Sequence, residues 1–154
     1  MIIEEAAADS PRFTGVLSGN ILLAEDFEPW RRFVSSALKH ESQLRIVCQV
    51  TDGMDAVKKS KELQPDLVLL DIGLPTLNGI EAARQIRRLS PKTKILFVSQ
   101  ESSVDIVQAA LSLGAWGYVV KADAQAELLL AINTVLSGRK FVGSRFAGHR
   151  FWTS

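Results

Sequence analysis

Three carboxylates, one hydroxyl and one ammonium are the groups of this chain best suited to act together: Glu25-Asp26, Asp71, Ser99 and Lys121. Clustered carboxylates repel one another, and a shared site is tolerable only with a cation to neutralise them. Oxygen ligands of this kind suit Mg²⁺, which keeps part of its water shell and takes one or two carboxylates from a protein. An Asp beside such a metal can act as a nucleophile toward a phosphoryl group and form an acyl phosphate. The metal and the Lys121 ammonium would stabilise charge on the transferred oxygens, and Ser99 would donate a hydrogen bond to one of them.

Each residue also has a plainer reading. Asp71 could cap the loop after a strand, and Lys121 could be a solvated charge. Glu25 or Asp26 could cap a helix that starts near Glu28-Pro29. Ser99 could be a turn residue at a strand end. Joint placement decides between these alternatives, so the elements that position the five residues come next.

Short apolar runs alternate with longer amphipathic segments. Ile21-Leu22-Leu23-Ala24, Leu44 to Val50, Leu67-Val68-Leu69-Leu70, Ile95-Leu96-Phe97-Val98 and Trp116 to Val120 have strand length and little polar alternation, as expected of strands apolar on both faces. Between them, Trp30, Phe33, Val34, Ala37 and Leu38 share one helical stripe, as do Ile80, Ala83, Ile86 and Leu89. The remaining helices are expected at about Met54 to Leu63, Val104 to Leu113 and Ala124 to Leu136. Five strand-then-helix units predict an α/β fold with a parallel sheet covered on both faces, since parallel connections need crossovers. Ligands of open α/β sheets sit beyond the carboxyl ends of the strands. Glu25-Asp26, Asp71, Ser99 and Lys121 all fall there.

Bulk properties narrow the class further. The 154 residues suit one domain, and 47% apolar with 23% charged residues describes a chain that can bury a core. A formal net charge of +1 argues for neither nucleic acid nor anionic membrane as the main partner. The single Cys48 excludes an intramolecular disulfide and is expected to be a buried small hydrophobe. No apolar stretch approaches the roughly 20 residues that cross a bilayer, and a cytoplasmic location is expected. Residues 1–18 read as a flexible leader, 19–138 as the folded domain and 139–154 as a loosely held tail with no output domain.

From Asn20 to Gly138 the sequence resembles the receiver domain of bacterial two-component response regulators, in particular receivers of the NarL/FixJ type. The resemblance rests on Glu25-Asp26, Leu70-Asp71-Ile72-Gly73-Leu74-Pro75, Asn78-Gly79, Ser99 and Gly114-Ala115-Trp116-Gly117-Tyr118-Val119-Val120-Lys121, in order and each at a strand end. It implies a three-layer, flavodoxin-like (βα)5 domain whose five-stranded parallel sheet has the order 2-1-3-4-5. It also implies that Asp71 is the phosphoacceptor, that Glu25, Asp26, Asp71 and the Gly73 carbonyl hold Mg²⁺, and that Lys121 pairs with the phosphoryl group. Ser99 and Tyr118 match the hydroxyl and aromatic switch positions, although Tyr118 could also be a core aromatic with its hydroxyl at the surface.

The partners so implied are a histidine kinase or histidine phosphotransfer protein upstream. Downstream they are a protein target or a second copy, met through the face of the fourth helix, fifth strand and fifth helix. Membrane association and direct nucleic-acid binding are not expected, and the domain would catalyse only its own phosphorylation and dephosphorylation. An alternative is a pseudo-receiver, an interaction module that keeps the site without using it. Departures from the family pattern are Glu25 for the commoner Asp, Asn78 for an acid, Ala122 where Pro is frequent, and Gln100-Glu101 after Ser99 where a very small residue is usual. Gln100 and Glu101 would crowd a phosphoryl donor or an attacking water and slow turnover. Trp116, between Gly114 and Gly117, is expected to serve as a partner contact.

Overall fold

The computed structural model describes residues 18–152. Apart from Ser18, the expected leader lies outside them. Among the described residues, six strands make one parallel sheet: β1 (Gly19–Ala24), β2 (Leu44–Val50), β3 (Leu67–Leu70), β4 (Lys94–Ser99), β5 (Gly117–Val120) and β6 (Phe141–Val142). Their order is β2-β1-β3-β4-β5-β6. The five α-helices among the described residues are α1 (Glu28–Leu38), α2 (Gly53–Leu63), α3 (Gly79–Leu89), α4 (Val104–Ser112) and α5 (Ala124–Leu136). None of the described helices is long and apolar enough to cross a membrane.

The central strands are apolar on both faces because both faces are covered, and β3 and β5 are buried along their whole length. One core cluster joins one face of the sheet to Ala56 and Val57 of α2, Ala82, Ala83 and Ile86 of α3, and Val107, Ala110 and Leu111 of α4. The other joins the opposite face to Val34 and Leu38 of α1 and Leu128, Ala131, Ile132 and Val135 of α5. Sheet and two helical layers give the three-layer flavodoxin-like arrangement, extended by one strand. Helix starts follow local chemistry: Asp52 and Ser103 accept from the N–H groups of Asp55 and Ile106 and cap α2 and α4.

Three expectations are corrected. β2 is an edge strand and is not apolar on both faces: Arg45, Val47 and Gln49 are exposed. Cys48 is half-buried on that edge instead of fully enclosed. The segment after 138 is not loosely held, because Phe141 and Val142 pair with Gly117 and Tyr118 as β6, and Phe146 and Phe151 are buried in the first core cluster. Its aromatic residues supply enough apolar area to hold a segment with little regular structure. The folded unit therefore runs past the expected boundary to Trp152. Trp116 precedes β5, with its N–H donating to the Ile95 carbonyl at 2.8 Å, and its ring is half-buried near the ammonium groups of Lys94 and Lys140.

Candidate functional site

The carboxyl ends of β1, β3, β4 and β5 open into one cleft of about 320 Å³. Glu25, Asp26, Asp71, Gly73, Ser99 and Lys121 all line it, together with Phe27, Ile72, Gln100 and Glu101. β1 delivers Glu25 and Asp26, and β3 delivers Asp71, whose N–H donates to the Ala24 carbonyl at 3.1 Å and so ties the two strand ends together. The loop after Asp71 turns sharply into α3. Gly79 makes this possible, because a Cβ there would run into the Asp71 carbonyl and lie 2.7 Å from Ile72 Cα. The Gly79 N–H donates to the Ile72 carbonyl at 2.7 Å. Asn78 caps α3, its Oδ1 accepting from the Glu81 N–H at 3.0 Å. An acid at 78 could accept the same bond, so the departure leaves the helix start intact.

Carboxylate oxygens of Glu25, Asp26 and Asp71 lie within 4.8 Å of one another. Asp26 is exposed, Asp71 is nearly buried and Glu25 is almost fully enclosed. Lys121 Nζ sits 2.7 Å from Glu25 Oε1 and 3.5 Å from Asp71 Oδ2. The Glu25 contact is a close ion pair that falls short of a directed hydrogen bond, so Oε1 has no well-aimed donor. Oε2 accepts from the Phe27 N–H at 3.0 Å. Burial raises the Glu25 pKa above its ordinary value and the Asp71 charge adds to this, while Lys121 and the Phe27 N–H oppose both. Neither acid at 25–26 caps α1, whose cap residue is Phe27 without a side-chain bond.

Ser99 is buried at the end of β4, and its Oγ accepts from the Glu101 N–H at 3.2 Å. Tyr118 does not line the cleft. It is fully buried behind it, with its ring centroid 6.0 Å from that of Phe97 and its hydroxyl donating to the Glu101 carbonyl at 2.8 Å. Burial pushes its pKa up to about 12, and the nearby Glu101 and Asp71 charges act the same way against the Ser99 hydroxyl. Of its two sequence readings, a hydroxyl at the surface is thus set aside.

Three contributors escaped the sequence pattern. Arg31 Nη1 donates to the Glu25 carbonyl at 3.0 Å and holds the β1–α1 turn. The Trp30 ring lies 5.2 Å from Lys121 Nζ and orients the ammonium. Phe27 is 58% exposed at the cleft mouth, where an aromatic ring has no packing reason to be. Arg31 and Trp30 lie on α1 near the acidic pair, but only the three-dimensional turn brings them back toward it.

Charge balance favours a further cation. One ammonium faces three carboxylates, and all the donor atoms are oxygens, the set that Mg²⁺ prefers. The residues present therefore fit a divalent ion.

A parallel sheet in this order, with acids at the ends of β1 and β3, a hydroxyl at β4 and a lysine after β5, defines a receiver fold and site. Residues 21–133 match the response regulator receiver domain, and the chain belongs to that family. Among curated relatives, it is 31% identical to the response regulator GacA of Pseudomonas viridiflava over 127 residues, 82% of this chain and 59% of that protein. It is 32% identical to the transcriptional regulatory protein LnrK of Bacillus subtilis over 118 residues, 77% of this chain and 54% of that protein. The chain thus spans between half and two thirds of the length of these relatives. A LuxR-family two-component response regulator from Aurantimonas sp. SI85-9A1 superposes with a TM-score of 0.77 at 31% identity, covering 82% of this chain and 90% of that one. The signal receiver domain of the response regulator NarL from Mycobacterium tuberculosis gives 0.75 at 28% identity, covering 80% and 99%.

Proposed function

We propose that this receiver takes a phosphoryl group onto Asp71 from a histidine kinase or histidine phosphotransfer protein, with Mg²⁺ bound beside it, and thereby switches its affinity for a protein target. The observation that carries this reading is the convergence of Asp71, two further carboxylates and Lys121 in one open cleft. An Asp71 oxygen attacks phosphorus, the P–N bond to the donor imidazole breaks as the new P–O bond forms, and the imidazole takes up a proton. Water later attacks phosphorus, the acyl P–O bond breaks, and the Asp71 carboxylate returns with release of inorganic phosphate.

Glu25, Asp26, Asp71 and the Gly73 carbonyl would hold the metal, which when bound offsets charge on the transferred oxygens. Lys121, now shared between Glu25 and Asp71, is placed to pair with the same oxygens. Ser99 is near enough to the cleft to donate to one of them. Gln100 and Glu101, both exposed on the cleft rim, narrow the approach of donor and water and favour slow turnover. The protein is then a signalling switch whose only chemistry is on itself.

Intact mass after incubation with acetyl phosphate and Mg²⁺ tests the reading. One added phosphoryl group is expected, and it should be lost in Asp71→Asn and with a chelator. Absence of any adduct on folded protein, with a labelling receiver as control, would overturn the reading in favour of an interaction module that does not use the site.

A further inference from the structure

Lys121 has three close neighbours, and the chemistry proposed above claims two of them. Its Nζ lies 2.7 Å from Glu25 Oε1, 3.5 Å from Asp71 Oδ2 and 5.2 Å from the centroid of the Trp30 ring, over whose face it stands. Glu25 and Asp71 are the carboxylates that a divalent ion and a phosphoryl group would engage. The indole face is the one neighbour that neither of them uses. Lys121 is also the only cation among the residues that line the cleft, so none of the others there can take its part.

The backbone alone does not aim this ammonium. Lys121 opens a 3₁₀ turn, Lys121–Asp123, directly after β5, and Ala122 places no proline restriction on its conformation. A flexible four-carbon stem separates that backbone from Nζ. The nearer of the two carboxylates is the enclosed Glu25, not Asp71. Trp30, by contrast, is itself fixed. Its N–H donates to the Phe27 carbonyl at 3.0 Å, and its ring stacks on Phe33 with centroids 4.7 Å apart and planes at 25°. With Val34, Leu69 and Val98 it lines a small, mainly apolar space that Glu25 and Asp71 border. An ammonium in such a setting gains more from a ring face than it would in water. A leucine at 30 would keep apolar bulk against Phe33 and Val34 and offer no negative face to the cation.

We propose that Trp30 is a positioning residue for phosphoryl transfer to Asp71: its indole face holds the Lys121 ammonium at the cleft while a metal ion and a phosphoryl group take over Glu25 and Asp71. The ring thereby keeps Lys121 from settling on Glu25 alone. The proposal rests on the phosphoacceptor reading of Asp71.

The full chain is compared with Trp30→Leu and Trp30→Phe, each checked for folding by urea unfolding. Intact mass reads the rate at which acetyl phosphate labels Asp71 at saturating Mg²⁺, and calorimetric titration reads Mg²⁺ affinity. Carbon-13 lysine spectra read the ε-methylene protons, which a ring face shifts upfield. The signal missing in Lys121→Met distinguishes Lys121 from Lys94 and Lys140, which stand over other tryptophans. In the parent the Lys121 signal is expected upfield. Trp30→Leu should lose that shift and label about fivefold more slowly, while Trp30→Phe keeps the shift and a rate within about twofold of the parent. Mg²⁺ affinity should stay within about twofold in both variants. Labelling of Trp30→Leu at the parental rate, or an unshifted Lys121 signal in the parent, overturns the positioning role and leaves the Asp71 reading intact. So does a loss of Mg²⁺ affinity as large as the loss of rate, which would make the ring a mere support of the cleft. If Trp30→Leu does not fold, Trp30→Phe decides: shift and rate must be kept or lost together, and a change in either without the other overturns the proposal. No labelling of the parent overturns the Asp71 reading and this proposal with it.

Discussion

The residues of the site are coupled through charge, and Lys121 is where that coupling can be read. Its ammonium stands 2.7 Å from a carboxylate that is 1% exposed, so removing it strands a buried charge. Lys121→Met should lose about 3 kcal/mol in urea unfolding without metal, and excess Mg²⁺ should restore most of it by supplying the missing cation. An equal loss with and without Mg²⁺ would mean that no cation shares the Glu25 carboxylate. Tyr118 offers a second test because it is the only tyrosine of the chain. Its folded-state pKa, raised by burial, lies above the unfolded value, so its contribution is complete below about pH 10 and is lost as pH rises toward about 12. Absorbance near 295 nm, a wavelength of about tyrosinate's maximum, should show one transition near 12 in the folded protein; a transition near 10 would place the hydroxyl in water. Acids, hydroxyl and lysine were legible in the sequence because each ends a strand whose apolar run is unmistakable. Arg31 and Trp30 were not, since their parts depend on how far α1 turns back over β1.

The elements were legible in proportion to how completely they are buried. β1, β3, β4 and β5 are central strands, and an unbroken apolar run is what burial on both faces demands. β2 carries exposed Arg45, Val47 and Gln49 because an edge strand has one side open, a condition that its apolar residues alone did not disclose. β6 is two residues long, too short for any periodicity, and the aromatic residues behind it help to hold it. At this scale Gly79 is the most exposed to test, since α3 begins against the Asp71 backbone. Gly79→Ala has no room for its methyl group and should displace the β3–α3 loop, costing about 2 kcal/mol in thermal unfolding. Because that loop carries Asp71, phosphorylation by acetyl phosphate should slow by at least about tenfold. A variant that folds as well and labels as fast as the parent would show that the loop can move aside without consequence for Asp71.

Over the whole molecule, the sheet divides its work between its ends and its edges. The carboxyl end gathers the charged cleft, while the β5 edge, which a five-stranded sheet would leave open, is closed by the chain itself. What secures that closure can be separated by substitution. Phe151 is 6% exposed within the core cluster and in edge-to-face contact with Phe146, so Phe151→Ala removes both packing and a ring partner. The loss expected in urea unfolding is about 3 kcal/mol. Arg145 joins Asp123 at short distance, yet both side chains are partly solvated, and Arg145→Ala should cost clearly less than Phe151→Ala. Arg145 does hold the Asp123 carboxyl below its ordinary value, so what the pair contributes is present above the usual carboxylate range and is lost as pH falls through the depressed value. If Arg145→Ala proved the costlier of the two, the segment would be an electrostatic clasp and salt should loosen it. With Phe151→Ala the costlier, it is a hydrophobic plug, and salt should leave the exchange of its amides unchanged.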